Sequence, residues 1–166
     1  PSPPPPARPP PPPRRQKLKE EDTIRVGCNN VNGLGFGENT TKYVKLFNLI
    51  SSLNIDIFGM SEINTHWTSI KRHERLRQRT QGWFEGRHTT VGYNTTEPHS
   101  DRYQPGGVAI LTRDRCSYRV DSSGQDSSRL GRWCWVRYRG KANRFLRVIS
   151  VYRPCKLNTG PSVGPG

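Results

Sequence analysis

Asn30 and Asn32 stand in the run Asn29-Asn30-Val31-Asn32-Gly33-Leu34, Glu62 closes the run Ile57-Phe58-Gly59-Met60-Ser61-Glu62, and Tyr152 stands just before Arg153-Pro154. One carboxylate flanked by side-chain amides and a phenol suits a hard divalent cation that also meets a phosphate ester. Mg²⁺ takes oxygen ligands, commonly only one or two of them carboxylates, and fills its other positions with water and phosphate oxygens. Glu62 would be that carboxylate. The amide oxygens of Asn30 and Asn32 could ligate the ion or hold its waters, and Tyr152 could donate to a phosphate oxygen. Residue type and spacing leave a plainer alternative open, in which the asparagines make a turn and Glu62 is an exposed strand end.

Any such meeting depends on the elements around it. Thr23 to Cys28 reads as a short strand that breaks into the asparagines, and Ile55 to Met60 reads as a second strand that stops on Ser61-Glu62. Between them Tyr43, Val44, Phe47, Ile50 and Leu53 recur at helical spacing, with an N-cap near Asn39 or Thr40. A right-handed strand-helix-strand crossover makes the strands parallel, with their C-terminal ends on one edge, where open α/β sheets place ligands. The glycines of Gly33-Leu34-Gly35-Phe36-Gly37 do not form a dinucleotide fingerprint, because position 38 is Glu38.

Beyond Glu62, Trp67, Ile70 and Leu76 alternate with Lys71, Arg72, Arg75, Arg77 and Arg79, the pattern of a basic amphipathic helix over 65–79. Arg72 and Arg75 would lie along a phosphate backbone, or else form a solvated face. Residues 81–105 read as a long surface loop with at most short strands. Residues 107–112 read as a buried strand, 117–121 as another, and 122–130 as a loop. From Arg132 to Arg139 the residues alternate, placing Trp133, Trp135, Arg137 and Arg139 on one face. That face is expected to be core rather than a base-stacking platform. A turn at 140–143 leads into 145–152, giving a hairpin, and Pro154 ends the last strand at Tyr152.

The chain has 166 residues, enough for one domain with a core, yet only 31% are hydrophobic. Residues 1–15 hold ten of the fifteen prolines, with arginine as their only charged type. A segment short of backbone donors and apolar side chains is expected to be solvated polyproline II, so residues 1–22 read as a disordered leader. A ligand for an SH3-like or WW-like groove is its functional alternative. The domain is expected over 23–157, with a Gly/Pro-rich tail at 158–166. The formal charge is +14, of which the leader carries +2 and the rest +12. So basic a region attracts polyanions, nucleic acid first among them, with a membrane surface as rival. No apolar stretch approaches the ~20 residues needed to span a bilayer, and no secretory leader is visible.

Cys28, Cys116, Cys134 and Cys155 form no Cys-x-x-Cys pair, and the four histidines lack metal-ligand spacing. Zinc is not expected, and reduced thiols in an intracellular protein are the favoured reading. The Asn-x-Thr sequons at Asn39 and Asn94 are short enough to arise by chance.

Five segments recur in a known order. They are Asn30-Val31-Asn32-Gly33-Leu34, Asp56 to Glu62, Gly106-Gly107-Val108-Ala109-Ile110-Leu111, Leu130-Gly131-Arg132-Trp133, and Val148 to Pro154. In order and approximate spacing they resemble the endonuclease/exonuclease/phosphatase superfamily. The wording is most similar to its retrotransposon-type (non-LTR) endonucleases, whose first motif also reads N-x-N-G and whose tyrosine is often followed by Arg-Pro. Apurinic endonucleases resemble it less, having Asp at the position of Asn32.

The resemblance implies a four-layered α/β sandwich and phosphodiester hydrolysis that depends on Mg²⁺ or Mn²⁺. It implies Glu62 and Asn30 in the metal site, and Tyr152 on the scissile phosphate. Asn32, Arg72, Arg75, Arg132 and Arg153 are the substrate-binding candidates. The partner implied is nucleic acid, DNA in the first instance, with a nuclear location and a reading frame that also encodes a reverse transcriptase. A nick with a 3′ hydroxyl would then prime reverse transcription. The family's later G-D-x-N and S-D-H segments do not occur in these 166 residues. An incomplete sandwich, the amino-terminal portion of a nuclease inactive by itself, is therefore expected. A non-catalytic basic nucleic-acid-binding remnant and a phosphatase of the same superfamily are the alternatives.

Overall fold

A computed structural model describes residues 19–20, 22–35, 41–95 and 103–153. In chain order the elements are β1 (Val26–Asn30), α1 (Thr41–Ser52), β2 (Ile57–Ser61), a 3-10 turn (Arg72–Glu74), α2 (Leu76–Arg79), β3 (Arg87–Gly92), β4 (Val108–Arg113), α3 (Asp114–Ser117), β5 (Val120–Gln125), β6 (Trp133–Arg139) and β7 (Phe145–Val151). One sheet has the order β1-β2-β4-β3 and the other β5-β6-β7. β1 and β2 are parallel, with Asn30 opposite Ser61, as the crossover requires. Every other pairing of strands is antiparallel.

The period-two alternation of β2 gives it two different neighbours. Phe58 and Met60 face α1, packing with Phe47, Ile50, Ala109 and Leu111. Ile57 faces the second sheet, where Val108 and Ile110 meet Cys134, Val136 and Tyr138. The result is a helix on a sheet on a sheet. Among the described residues no helix covers the outer face of β5-β6-β7, so the α/β sandwich is incomplete. No described helix is long and apolar enough to cross a membrane.

Two polar contacts fix the sheets against each other. The Ser150 hydroxyl donates to the carbonyl of Met60 at 3.0 Å, tying β7 to β2. Thr112 and Tyr138 share a buried hydroxyl-hydroxyl bond of 2.6 Å. Burial pushes the Tyr138 phenol up to about 12, so it keeps its proton. Lys19, ahead of the expected domain start, donates to Asp56 at 2.5 Å.

Several expectations need correcting. Residues 65–79 do not form one helix; turns, the 3-10 turn and the four-residue α2 replace it, and only Leu76 of α2 is buried. A few apolar side chains among five bases do not hold a continuous helix without a long face to pack on. In 81–105, where at most short strands were expected, the six-residue β3 is such a strand. Residues 114–117 are helical, and β5 runs through 122–125, where a loop was expected. The tryptophan face of β6 is not the core: Cys134, Val136 and Tyr138 are buried while Trp133 and Trp135 are half-buried. Arg147 stacks on Trp135 and Arg137 on Phe145, which screens those rings without enclosing them.

Cys28, Cys116 and Cys134 are free thiols. Burial raises Cys116 and pushes Cys134 up to about 12, so these two are inert packing groups. Asn39, His99 and Cys155 lie outside the described residues.

Replacing Tyr138 by Phe keeps the ring and strands the Thr112 hydroxyl. Urea denaturation should show a loss of about 1 kcal/mol without a change in slope.

Candidate functional site

Three strands of the first sheet end on one register row: Asn30 opposite Ser61, Ser61 opposite Val108, and Val108 opposite Gly92. The residues just past that row form the candidate site. By the period of two, Asn30 shares a face with Cys28, which lies beside Gly59 and Ser150 on the side of the second sheet.

Backbone pairing continues beyond the strand ends. Val31 donates to the carbonyl of Ser61 at 2.9 Å, Gly33 to that of Glu62 at 2.7 Å and Leu34 to that of Ile63 at 2.9 Å. On the other flank Ile63 donates to Gly107 at 3.2 Å and Asn64 to Gly106 at 2.8 Å, while Gly106 returns a bond to the Asn64 side-chain oxygen at 2.9 Å. Glu62 is thereby clasped from both sides with a φ of 53°. Left-handed backbone costs a residue with a Cβ roughly 1 kcal/mol or more, and such outliers gather at functional sites. Asn32 (φ 41°) and Asn64 (φ 51°) are of the type that tolerates this region best, and Gly106 and Gly107 sit at 86° and 85°.

Asn30 and Asn32 do make the turn that residue type suggests. The Asn30 side-chain oxygen accepts from the backbone of Asn32 at 3.0 Å, leaving a second lone pair on that oxygen. The Asn32 carbonyl accepts from the Lys42 ammonium at 2.5 Å. Asn30, Asn32, Lys42 and Lys45 line a cleft of about 400 Å³ beside α1. A phosphate oxygen entering it would meet positive charge and amide donors.

Tyr152 joins the same edge through Gly106, where a Cβ would lie 3.6 Å from the tyrosine ring. Its backbone donates to the carbonyl of Arg132 at 2.7 Å, so Arg132 and Arg153 sit on adjoining chains with both side chains exposed. Asp126 holds the Arg132 loop, accepting from the backbones of Ser128 and Arg132, each at 2.9 Å. Gly131, at φ 63°, packs so closely on Tyr93 and Asn94 that a Cβ would collide with their backbone.

The structure thus brings Asn30, Asn32, Glu62, Tyr152, Arg132 and Arg153 to one edge. Arg72 and Arg75 lie elsewhere, in a groove of about 400 Å³ on the far side of β3. Sequence reasoning missed Asn64, Lys42 and Asp126. The signal for Asn64 was its place two residues after Glu62, within reach of the paired glycines.

A metal fits this donor set only in one form. Among the described residues no cluster of three or more His, Cys, Asp or Glu side chains could hold an ion. Glu62 with the Asn30 amide is an all-oxygen set with a single carboxylate, which suits Mg²⁺ or Mn²⁺ shared with water and phosphate and does not suit zinc.

No protein-family model and no curated protein sequence matches the chain. Among solved structures it is similar to an endonuclease/exonuclease/phosphatase family protein from Leptotrichia buccalis C-1013-b, with a TM-score of 0.56 and 13% identity over 82% of this chain. The chain spans 57% of that neighbour's length. At this identity the likeness establishes the fold, an α/β sandwich of the endonuclease/exonuclease/phosphatase type.

Two stability predictions follow from the clasp and the Arg132 loop. Glu62→Gly should be more stable than Glu62→Ala by about 1 kcal/mol in thermal or urea melts, because only glycine relieves the left-handed backbone. Asp126 is held below the usual carboxylate range, first by hydrogen bonding from the Ser128 side chain and, more weakly, by the backbones of Arg132 and Ser128, with desolvation opposing. A depressed carboxylate contributes fully above its unfolded value of about 4 and loses its contribution as pH falls through the lower folded value. Melting curves between pH 6 and pH 2 should therefore show Asp126→Ala losing less stability on acidification than the parent.

Proposed function

We propose that this chain supplies the metal-side half of a Mg²⁺-dependent phosphodiester-cleaving site that acts on nucleic acid, of the type encoded by mobile elements. The observation that carries the reading is Glu62, a carboxylate in a strained left-handed conformation, fixed beside Asn30 at the shared strand-end edge. Strain kept at a polar position by six surrounding backbone and side-chain bonds is what a positioned ligand needs.

Glu62 and Asn30 would hold the ion. When bound, Mg²⁺ would offset the charge that develops on the phosphate during displacement. The chain's own groups do the rest: Tyr152 directs a phenol from the end of β7 to donate to a non-bridging oxygen, and Asn32 keeps the Asn30 amide in place through its turn. Arg132 and Arg153 add exposed positive charge beside Tyr152. The +12 carried outside the leader favours a polyanion over a small phosphate ester or an uncharged lipid surface. A reading frame continuing into G-D-x-N, S-D-H and then a reverse transcriptase would suit a nuclear element of this kind.

A second reading has its own support. With one carboxylate at the edge and 57% of the neighbour's length, the chain could bind nucleic acid without cutting it. That reading expects binding which weakens steeply with salt and no product at any Mg²⁺ concentration.

Supercoiled plasmid nicking separates the two. The chain, a version extended through the later motifs, and the extended version with Glu62→Ala are compared with Mg²⁺ and with EDTA. The extended protein should nick only with Mg²⁺, and Glu62→Ala should lower the rate by about a hundredfold or more. Equal nicking with and without Glu62 would sink the metal site.

A further inference from the structure

The groove that holds Arg72 and Arg75 lies outside the edge described above. One wall is the 67–78 segment, with Trp67, Arg72, Arg75 and Arg77; the floor is Thr89, Thr90 and Val91 of β3; the other wall is Ser123 to Gln125 of β5. Among the described side chains no carboxylate lines it, and the three guanidiniums have no ion-pair partner there. The Arg77 charge, after burial, holds the nearby His88 imidazole below its ordinary range, so positive potential reaches the strand beneath.

The groove has a direction. Thr89 to Tyr93 runs along β3 for about 13 Å, and β3 ends at Gly92 on the same register row as Ser61. Tyr93 therefore follows the row that Glu62 follows, two strand spacings or about 10 Å away. It is partly exposed, at 36%, and its ring is propped at 5.9 Å and 54° by the buried Trp67. A phenol ring fixed at the mouth, with guanidiniums behind it and hydroxyls and amides along the floor, alternates a stacking surface with phosphate donors. That is the composition of a single-strand channel. Duplex DNA is read by elements that protrude into its grooves, whereas this feature is a slot.

We propose that the groove of Trp67, Arg72, Arg75, Arg77 and Tyr93 binds a single-stranded segment of nucleic acid, stacking one base on Tyr93 and leading the strand to the Glu62 edge. The assignment rests on the phosphodiester reading above for its direction, not for its binding chemistry. The rival basic surface is the outer face of β6-β7, and its charge is partly spent. Asp121 accepts from Arg137 at 2.7 Å and Arg139 at 2.9 Å, and Arg137 and Arg147 already stack on Phe145 and Trp135.

The test is fluorescence anisotropy of the full chain with a labelled 12-nucleotide single-stranded DNA in EDTA, from 50 to 200 mM salt. Four variants are compared: the triple Arg72→Gln, Arg75→Gln, Arg77→Gln; Tyr93→Ala; Tyr93→Phe; and the triple Arg137→Gln, Arg139→Gln, Arg147→Gln. Near-ultraviolet circular dichroism establishes that each is folded. The groove triple should weaken binding at least tenfold at 50 mM salt and flatten the log-log salt slope by about 2, since each single-strand phosphate contact contributes about 0.7. Tyr93→Ala should weaken binding severalfold and Tyr93→Phe should restore it, because the ring and not the hydroxyl does the stacking. The outer-face triple should have a clearly smaller effect, and a 12-base-pair duplex should bind less tightly than the single strand. An unchanged slope in the groove triple, an equal loss in the outer-face triple, or a duplex that binds as well through the same arginines would overturn the assignment. Because binding is read in EDTA, it does not depend on a metal at Glu62. Retained nicking in Glu62→Ala would end the metal-site reading and leave the groove standing.

Discussion

The row of strand ends is the constraint on which the rest depends. Parallel pairing of β1 with β2 sets Asn30 beside Ser61, and the backbone ladder then continues past both strands into chain that is no longer extended. Continuing a ladder through left-handed residues requires partners on both flanks, because each departure from extended backbone removes the regular acceptor. Gly33 and Leu34 provide one flank, and Gly106 and Gly107 the other. Side chains at 106 and 107 would be strained at φ near 85°. The glycine pair is thus the condition for holding Glu62 at φ 53°, and Gly107 also lies against the Ile63 side chain. A strand-end edge that is rigid in its backbone can leave its carboxylate half-exposed and still fix where that carboxylate starts from.

The second sheet extends the same geometry. Thr112 with Tyr138, and Ser150 with Met60, set the depth at which β7 crosses β2, and that depth decides where Tyr152 emerges. The bond from Tyr152 to Arg132 then couples the end of β7 to the loop that Asp126 holds. Packing in the sandwich and placement of the site are one set of contacts, so a core substitution between the sheets would be felt at the edge.

Elements with one dominant neighbour were legible in the sequence. The stripe Tyr43, Phe47, Ile50 packs on Phe58 and Met60 of β2, Leu111 of β4 and Phe84, and the β1-α1-β2 unit followed from its spacing, as did the shared edge of Asn30 and Glu62. What misled was pattern without a statement of which side is inside. On β6 the large rings of Trp133 and Trp135 carry more apolar area than Cys134 and Val136, yet Cys134, Val136 and Tyr138 fit the narrow gap against Ile57 and Ile110. Inter-sheet spacing of about 10 Å favours small and medium side chains there, and alternation alone cannot express it. The basic run over 65–79 failed for the opposite reason: it had helical spacing and too little apolar surface to hold a helix. Asn64, Lys42 and Asp126 act through backbone groups of distant residues, which no local pattern encodes.

Charge shows the same division of labour. The folded region is strongly basic, but its bases are not equivalent. Arg113 is paired to Asp114, Arg137 and Arg139 to Asp121, and Lys19 to Asp56, so these serve the fold. Arg153 at the strand-end edge and Arg72, Arg75 and Arg77 in the groove form no ion pair among the described side chains, and Arg132 has only the attraction of Asp126 at longer range. Unneutralised charge gathered along an edge and a groove costs stability through self-repulsion. A chain of this size with so modest a hydrophobic content has little margin for such a cost. On the reading proposed above, a polyanion lying along edge and groove together replaces the missing acids with its own phosphates.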